Sequence, residues 1–242
     1  MRAAWGGWAL LVAGSLALPL WIGVVCTPGL QRRRRVGAAF VRLALLLCGV
    51  SLPVRQRSAL PPAPRVFVAN HASYLDSLLL ITALPKDVAF VAKQELAGNV
   101  ALGRLLERLG CVFVERFEQE GASAGAAELP ARLTAGESLL VFAEGTFVRA
   151  PGLRPFHMGA FTAAAATGAA VVPVALCGTR DMLPDETHWP RPASIRISIG
   201  DALSPEDASW QSAVELRRRA RAHILAEVHE PDLEQRAAGT LA

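Results

Sequence analysis

The first 75 residues contain neither aspartate nor glutamate, and the first carboxylate in the chain is Asp76. Nine arginines fall within residues 1–65, while the remainder carries 16 basic against 21 acidic side chains. The formal charge of +4 is therefore the average of a purely basic N-terminal section and a mildly acidic body. Nucleic-acid binders spread their arginines over the folded domain, so no nucleic-acid partner is expected. No two of Cys26, Cys48, Cys111 and Cys177 form a Cys-x-x-Cys pair, which removes zinc-site and dithiol readings. They read as small buried hydrophobes in a reducing compartment, and neither a metal nor a cofactor is expected. Lysine occurs twice against 23 arginines, a bias of GC-rich, bacterial coding. There is no internal repeat. With 52% hydrophobic residues and a mean hydropathy of +0.32 over 242 residues, disordered and fibrous classes are excluded. One substantial domain with an appendage remains.

The appendage is the N-terminal section. Ala3 to Cys26 is an uncharged run of 24 residues containing Trp5, Trp8, Trp21 and a potentially kinking Pro19. At ~1.5 Å per residue a helix of this length crosses a ~30 Å hydrocarbon layer. The run Arg32–Arg35 follows, and by the positive-inside rule that end and the body lie on the cytoplasmic side. Charge at that point opposes export, which ranks anchoring above a cleaved signal peptide. The second apolar stretch, Val36–Val50, is too short to span and is interrupted by Arg42. It reads as an interfacial helix whose arginines meet anionic headgroups, with a buried helix of the body and a leaflet-inserted hairpin as alternatives. Residues 1–50 are thus taken as a membrane anchor and 51–64, with four prolines, as a linker.

The body alternates short β-rich runs with helical patterns. Strands are predicted at Arg65–Ala69, Val88–Ala92, Cys111–Glu115, Ser138–Phe142, Ala170–Ala175 and Ser194–Ile199. Helices are predicted at Tyr74–Leu84, Glu95–Leu109, Ala122–Leu133 and Met158–Thr167. This is the pattern of an α/β fold with a mostly parallel or mixed sheet over residues 65–203. In the C-terminal segment 204–242, Ser204-Pro205-Glu206-Asp207 reads as the start of a helix reaching about Val228. Its Arg217, Arg218, Arg219 and Arg221 are taken as a solvated face.

Two strand exits carry chemistry. In Val68-Ala69-Asn70-His71-Ala72-Ser73-Tyr74-Leu75-Asp76, Ser73 and Asp76 form a capping pattern. The chain folds back there, so Asp76 can reach the His71 imidazole and leave its other nitrogen as a general base. In Phe142-Ala143-Glu144-Gly145-Thr146, the glycine allows a tight turn, and the Gly145 and Thr146 amides are candidate donors to an anion. His157, His188, His223 and His229 have no partner at catalytic spacing. Ser73 lacks the strained Gly-x-Ser-x-Gly setting of a hydrolase nucleophile, which counts against a lipid-ester hydrolase. A non-enzymatic membrane scaffold is a further alternative, opposed by the presence of His71, Asp76, Arg116 and Glu144.

Together these segments resemble the membrane-associated glycerolipid acyltransferases, whose type member is 1-acylglycerol-3-phosphate acyltransferase. Asn70-His71 with Asp76 is similar to the family's first motif, and Gly110-Cys111-Val112-Phe113-Val114-Glu115-Arg116 to its second. Phe142–Thr146 is similar to the third motif, Val172-Pro173-Val174-Ala175 to the fourth, and Lys93-Gln94-Glu95-Leu96 to the stretch between the first two. The resemblance implies a glycerolipid acyltransferase-like fold and transfer from acyl-coenzyme A or acyl-carrier protein to the free hydroxyl of a lysophospholipid. It implies that His71 and Asp76 are catalytic. It further implies that Arg116, Glu144, Gly145, Thr146 and Arg149 serve the acceptor and its phosphate. The positive-inside reading and the bacterial coding bias place the catalytic domain on the cytoplasmic face of the inner membrane. Two positions depart from the pattern: Ala143 replaces a usual proline, and Phe147 stands where an arginine is common. Either Arg149 or Arg154 substitutes, or the acceptor is another lyso-lipid, such as an ornithine lipid precursor.

Overall fold

A computed structural model describes residues 2–114 and 123–235. The first elements are α1 (Arg2–Cys26), α2 (Leu30–Leu47), β1 (Val54–Gln56), β2 (Arg65–Ala69), α3 (Leu75–Ala83) and β3 (Val88–Lys93). After a 3₁₀ turn at Gln94–Gly98 come α4 (Val100–Arg108), β4 (Val112–Val114), α5 (Ser123–Thr134), β5 (Ser138–Phe142) and α6 (Gly159–Thr167). The chain ends with β6 (Ala170–Cys177), α7 (Thr179–Met182), β7 (Arg196–Ile199) and α8 (Trp210–Val228).

Seven strands form one sheet in the order β1-β7-β6-β2-β5-β3-β4. Every neighbouring pair is parallel except β6 with β7. β2 sits at the centre with all five residues buried, as a strand covered on both faces must. Its alternate side chains serve two cores. Val66 and Val68 pack with Leu139, Val141, Phe161, Leu216 and Ile224 beneath α6 and α8. Phe67 and Ala69 pack with Leu79, Leu80, Leu140, Val174 and Ile197 beneath α3.

The sheet is the α/β arrangement expected, with three local differences. Residues 51–64 are more than a linker, because Val54–Gln56 adds an edge strand along β7. The single helix expected at Glu95–Leu109 is divided at Asn99, whose extended backbone ends the 3₁₀ turn and whose side chain caps α4 by accepting from Leu102 N. Glu115 and Arg116 lie outside the described residues. The last helix opens at Ser209, not Ser204: Leu203 is held in extended pairing with Val171, and Ser209 Oγ accepts from Ser212 N. The chain therefore crosses the sheet end before it can coil.

α1 and α2 run antiparallel, tied by Trp5 Nε1 to Cys48 O and Trp8 Nε1 to Leu47 O, both at 2.9 Å. Trp21 Nε1 donates to Ala101 O, so α1 also rests on α4. α2 is not purely interfacial. Its Gly37 packs closely against Ile81 of α3, Arg42 donates to Thr82 O, and Arg34 is buried. Arg34 reaches Leu109 O at 2.8 Å, Lys86 O at 3.0 Å and Gly110 O at 3.2 Å. One arginine of the basic run is thus an internal strut, while Arg32 and Arg35 remain exposed. α1 is long and apolar enough to cross a membrane by length and composition. Leu11, Leu18 and Ile22 of α1 and Leu43, Leu46 and Leu47 of α2 stand exposed.

Replacing Arg34 by alanine removes the donor of three carbonyls and empties its site. A loss of about 2–4 kcal/mol is expected in urea unfolding of detergent-solubilised protein, against less than about 0.5 kcal/mol for Arg35→Ala.

Candidate active site

The site forms where β2, β5 and β6 end side by side, because parallel strands deliver their C-terminal loops to one edge. Asn70 prolongs β2 with its side chain. Its Nδ2 donates to Leu176 O at 3.0 Å and its Oδ1 accepts from Leu176 N at 2.8 Å, which bolts the loop to β6. On the other side Ala143 N donates to Ala69 O and brings the β5 exit alongside. His71 and Glu144 are therefore adjacent although 73 residues apart, and His71 N donates to Glu144 Oε1 at 2.7 Å.

His71 Nδ1 lies 2.8 Å from Asp76 Oδ2. The same oxygen accepts from Ala72 N at 2.6 Å and Ser73 N at 2.9 Å. Asp76 is fully buried and its Oδ1 has no partner among the described residues. With backbone amides already donating, the carboxylate acts as acceptor and Nδ1 carries the proton. Nε2 is then the basic nitrogen and bonds to none of the described residues. The capping pattern is half as expected. Asp76 reaches back to Ser73 N, but Ser73 Oγ accepts from Leu75 N and donates to Leu183 O. That hydroxyl is committed to structure.

The imidazole is held between aromatic rings. Phe142 stacks on it at 4.0 Å between centroids, and Phe147 lies at 4.3 Å on a tilt. Tyr74 meets Phe147 edge-on at 4.7 Å and donates its hydroxyl to Asp185. The residue standing in place of the family's arginine therefore walls the His71 site with an apolar ring.

Glu144 is 3% exposed, and both its oxygens accept backbone amides, Oε1 from His71 and Oε2 from Arg154 at 2.9 Å. Burial pushes its carboxyl up to about 7, against the opposing pull of those two amides and of Arg180. Gly145 has φ of +69°, and an added Cβ would lie 2.9 Å from the His157 ring, so only glycine fits. Its amide donates to Phe142 O at 3.1 Å, which corrects the expectation that it faces an anion. The Thr146 amide donates to none of the described residues and is the remaining candidate. Arg149 is exposed and bonds to none of the described residues, so no contact there joins it to His71. Arg154 joins the site through its main chain, and its Nη1 is buried without a partner among those residues. Arg116 lies outside them.

Phe142 and Tyr74 lie within the motif-bearing segments without an expected role, while sequence spacing marks neither Arg180 nor His157, since both reach the site only through tertiary contact. Next to α3, a cavity of about 380 Å³ opens between α1, α2 and the loop after α7. Leu16, Leu20, Phe40, Ala44, Leu75 and Leu79 are among the side chains that line it.

A parallel-sheet edge carrying an imidazole–carboxylate pair next to an apolar cavity is the outline of an enzyme acting on lipid. The comparisons specify which kind. The family model described as Acyltransferase matches residues 51–177. A lyso-ornithine lipid O-acyltransferase of Pseudomonas aeruginosa is 34% identical over 182 residues, 72% of this chain and 67% of that protein. A 1-acyl-sn-glycerol-3-phosphate acyltransferase alpha of Mus musculus is 29% identical over 217 residues, 85% of this chain and 73% of that one. In fold, the 1-acyl-sn-glycerophosphate acyltransferase PlsC of Thermotoga maritima superposes with a TM-score of 0.73 over 92% of both chains, at 21% identity. The chain belongs to the acyltransferase family. It is an acyltransferase enzyme, and the motif resemblance holds at the level of the family.

The raised carboxyl of Glu144 has a consequence for stability. Its protonated form is favoured in the fold, so its contribution is complete below the ordinary value of 4.5 and is lost as pH rises through about 7. Unfolding free energy measured from pH 5 to 8.5 is expected to fall in the wild type relative to Glu144→Gln, by up to about 3 kcal/mol.

Proposed function

We propose that the enzyme transfers an acyl group from an acyl-coenzyme A or acyl-carrier-protein thioester to the free hydroxyl of a membrane-borne lysophospholipid, 1-acylglycerol-3-phosphate in the first reading. The observation that carries this is the His71–Asp76 pair at 2.8 Å with Nε2 unengaged by the described residues. In this mechanism Nε2 takes the hydroxyl proton as the acceptor oxygen attacks the thioester carbonyl. The carbon–sulfur bond then breaks, and the thiol leaves with the proton returned from His71. Asp76 holds the imidazole in the required tautomer. The Thr146 amide is the proposed donor to the developing oxyanion, and Glu144 fixes the backbone on which His71 stands. No covalent acyl-enzyme is needed, in keeping with the structural engagement of the Ser73 hydroxyl. The apolar cavity between α1, α2 and α3 suits a hydrocarbon chain of one substrate.

A second reading is favoured by Phe147. An aromatic ring against His71 gives a phosphate no charge-assisted partner at that point, and a relative that shares 34% identity is named for lyso-ornithine lipid. In this reading the acceptor is a lyso-lipid with an amino-acid headgroup. For both readings, the exposed leucines of α1 and α2 and the outward Arg32 and Arg35 support docking on the cytoplasmic face of the inner membrane. Because α1 lies along α2 and α4, insertion into one leaflet fits it better than a span.

His71→Ala is expected to lower transfer about 10²–10⁴-fold while leaving unfolding curves and vesicle binding unchanged. Retained turnover in this variant rejects the mechanism. Membranes supplied with labelled acyl donor and a panel of lyso-lipids decide the acceptor: lysophosphatidate turnover supports the first reading, lyso-ornithine lipid turnover the second. Phe147→Arg is expected to raise kcat/KM for lysophosphatidate relative to lyso-ornithine lipid by about tenfold, the scale of one charge-assisted contact.

A further inference from the structure

The loop from Phe147 to Phe156 supplies the Arg154 amide that Glu144 binds, yet the loop contains no helix or strand of its own. What holds it comes from two distant parts of the chain. Arg180, on α7, donates Nη1 to Val148 O within the loop. Its Nε and Nη2 meet Glu230 Oε1 and Oε2 at 3.0 and 3.1 Å. Glu230 Oε2 also accepts Gly152 N at 2.8 Å. Beyond Glu230 the chain runs beside the loop: Leu153 N donates to Pro231 O and Leu233 N to Leu153 O. α8 anchors that segment from behind, with Arg221 paired twice to Asp232 and donating to Leu153 O, and Arg217 donating to Phe156 O. Arg217 and Arg221 are therefore structural, not a solvated face, and Arg221 is 7% exposed.

The geometry points to Arg180 as a positioning residue for acyl transfer, clasping Glu230 and the loop so that Glu144 can hold the His71 backbone in place. The relay is short: Arg180 and Glu230 fix Val148 and Gly152, these place Arg154 N, and Arg154 N and His71 N share the Glu144 carboxylate. Both Glu144 oxygens accept, so the clasp is complete when that carboxyl is ionised. The titratable and charged groups around Glu144 are His71 from the turn after β2, Arg154 and His157 from the loop, Arg180 from α7 and Glu230 from the C-terminal segment. Arg180 is the cation that favours ionised Glu144, and Glu230 opposes it. Removing Arg180 thus slackens the loop and also moves Glu144 toward its protonated form.

The inference rests on the acyltransferase reading for its kinetic test and on none for its exchange test. On full-length protein in vesicles of phosphatidylethanolamine and phosphatidylglycerol, with the lyso-lipid that the wild type turns over, Arg180→Gln is expected to lower kcat about 10–100-fold with KM changed less than about threefold. The acidic limb of its pH profile moves upward. Arg180→Lys, which keeps the charge without the fork, returns the limb to the wild-type position while kcat recovers only in part. Hydrogen exchange without substrate is expected to show the Gly152, Arg154 and His71 amides losing at least about tenfold protection in Arg180→Gln, with β2 and β5 amides unchanged. Wild-type kcat and pH limb in Arg180→Gln, or unchanged loop protection, overturn the assignment. Glu230→Gln, the same shape with the charge removed, is measured in parallel. An even loss of protection across the sheet in both variants marks a pair serving only the fold and also overturns it. Absence of turnover in the wild type with every lyso-lipid defeats the functional reading instead, and the exchange result then stands alone.

Discussion

One carboxylate oxygen organises the centre of this protein. Asp76 Oδ2 accepts from the imidazole of His71 and from two successive backbone amides, all inside a fully buried pocket. In such surroundings a polar oxygen must be matched by donors, and opening the turn before α3 would strip all three from it. The same contacts that start the helix set the tautomer of the histidine. Local folding and the orientation of the base are one event. The Asn70 staple to Leu176 and the Glu144 bond to His71 N add the second and third directions of restraint.

A second buried carboxylate joins the loops that the first does not reach. Glu144 takes one amide from the β2 exit and one from the loop after β5, and burial leaves its carboxyl near 7. This group is costly to ionise and needed as a double acceptor. Its position is upheld by Arg180, Glu230 and the arginines of α8, all outside the recognisable motifs. A loop without secondary structure needs an external frame, and distant parts of the chain supply it here.

The N-terminal hairpin shows how burial reassigns charge. Arg32 and Arg35 look outward, while Arg34 is consumed by three carbonyls at the junction of α2 with the body. A run of four identical residues thus divides its labour by helix periodicity, because successive side chains point about 100° apart. The exposed apolar surface of α1 and α2 adjoins the cavity, whose lining includes Leu75, next in sequence to Asp76. The transfer proposed above, from a thioester to a lipid acceptor, calls for that adjacency.

The sequence by itself determined the alternation of strands and helices, the mostly parallel or mixed sheet, the long apolar first helix, and the likeness of His71, Asp76, Glu144 and Gly145 to a known site. Those features are local: hydrophobic period, capping residues and turn glycines act over a few positions. Only the tertiary structure decided that Val54–Gln56 joins the sheet, that Ser209 and not Ser204 caps the last helix, and that the Gly145 amide is engaged. It alone brought Phe147 onto His71 and Arg180 to Glu230. Apart from the Gly145 amide, which closes a turn onto Phe142 O three residues back, each of these depends on groups tens of residues apart competing for the same hydrogen bonds and the same buried space. That competition is settled by packing, which no local pattern records.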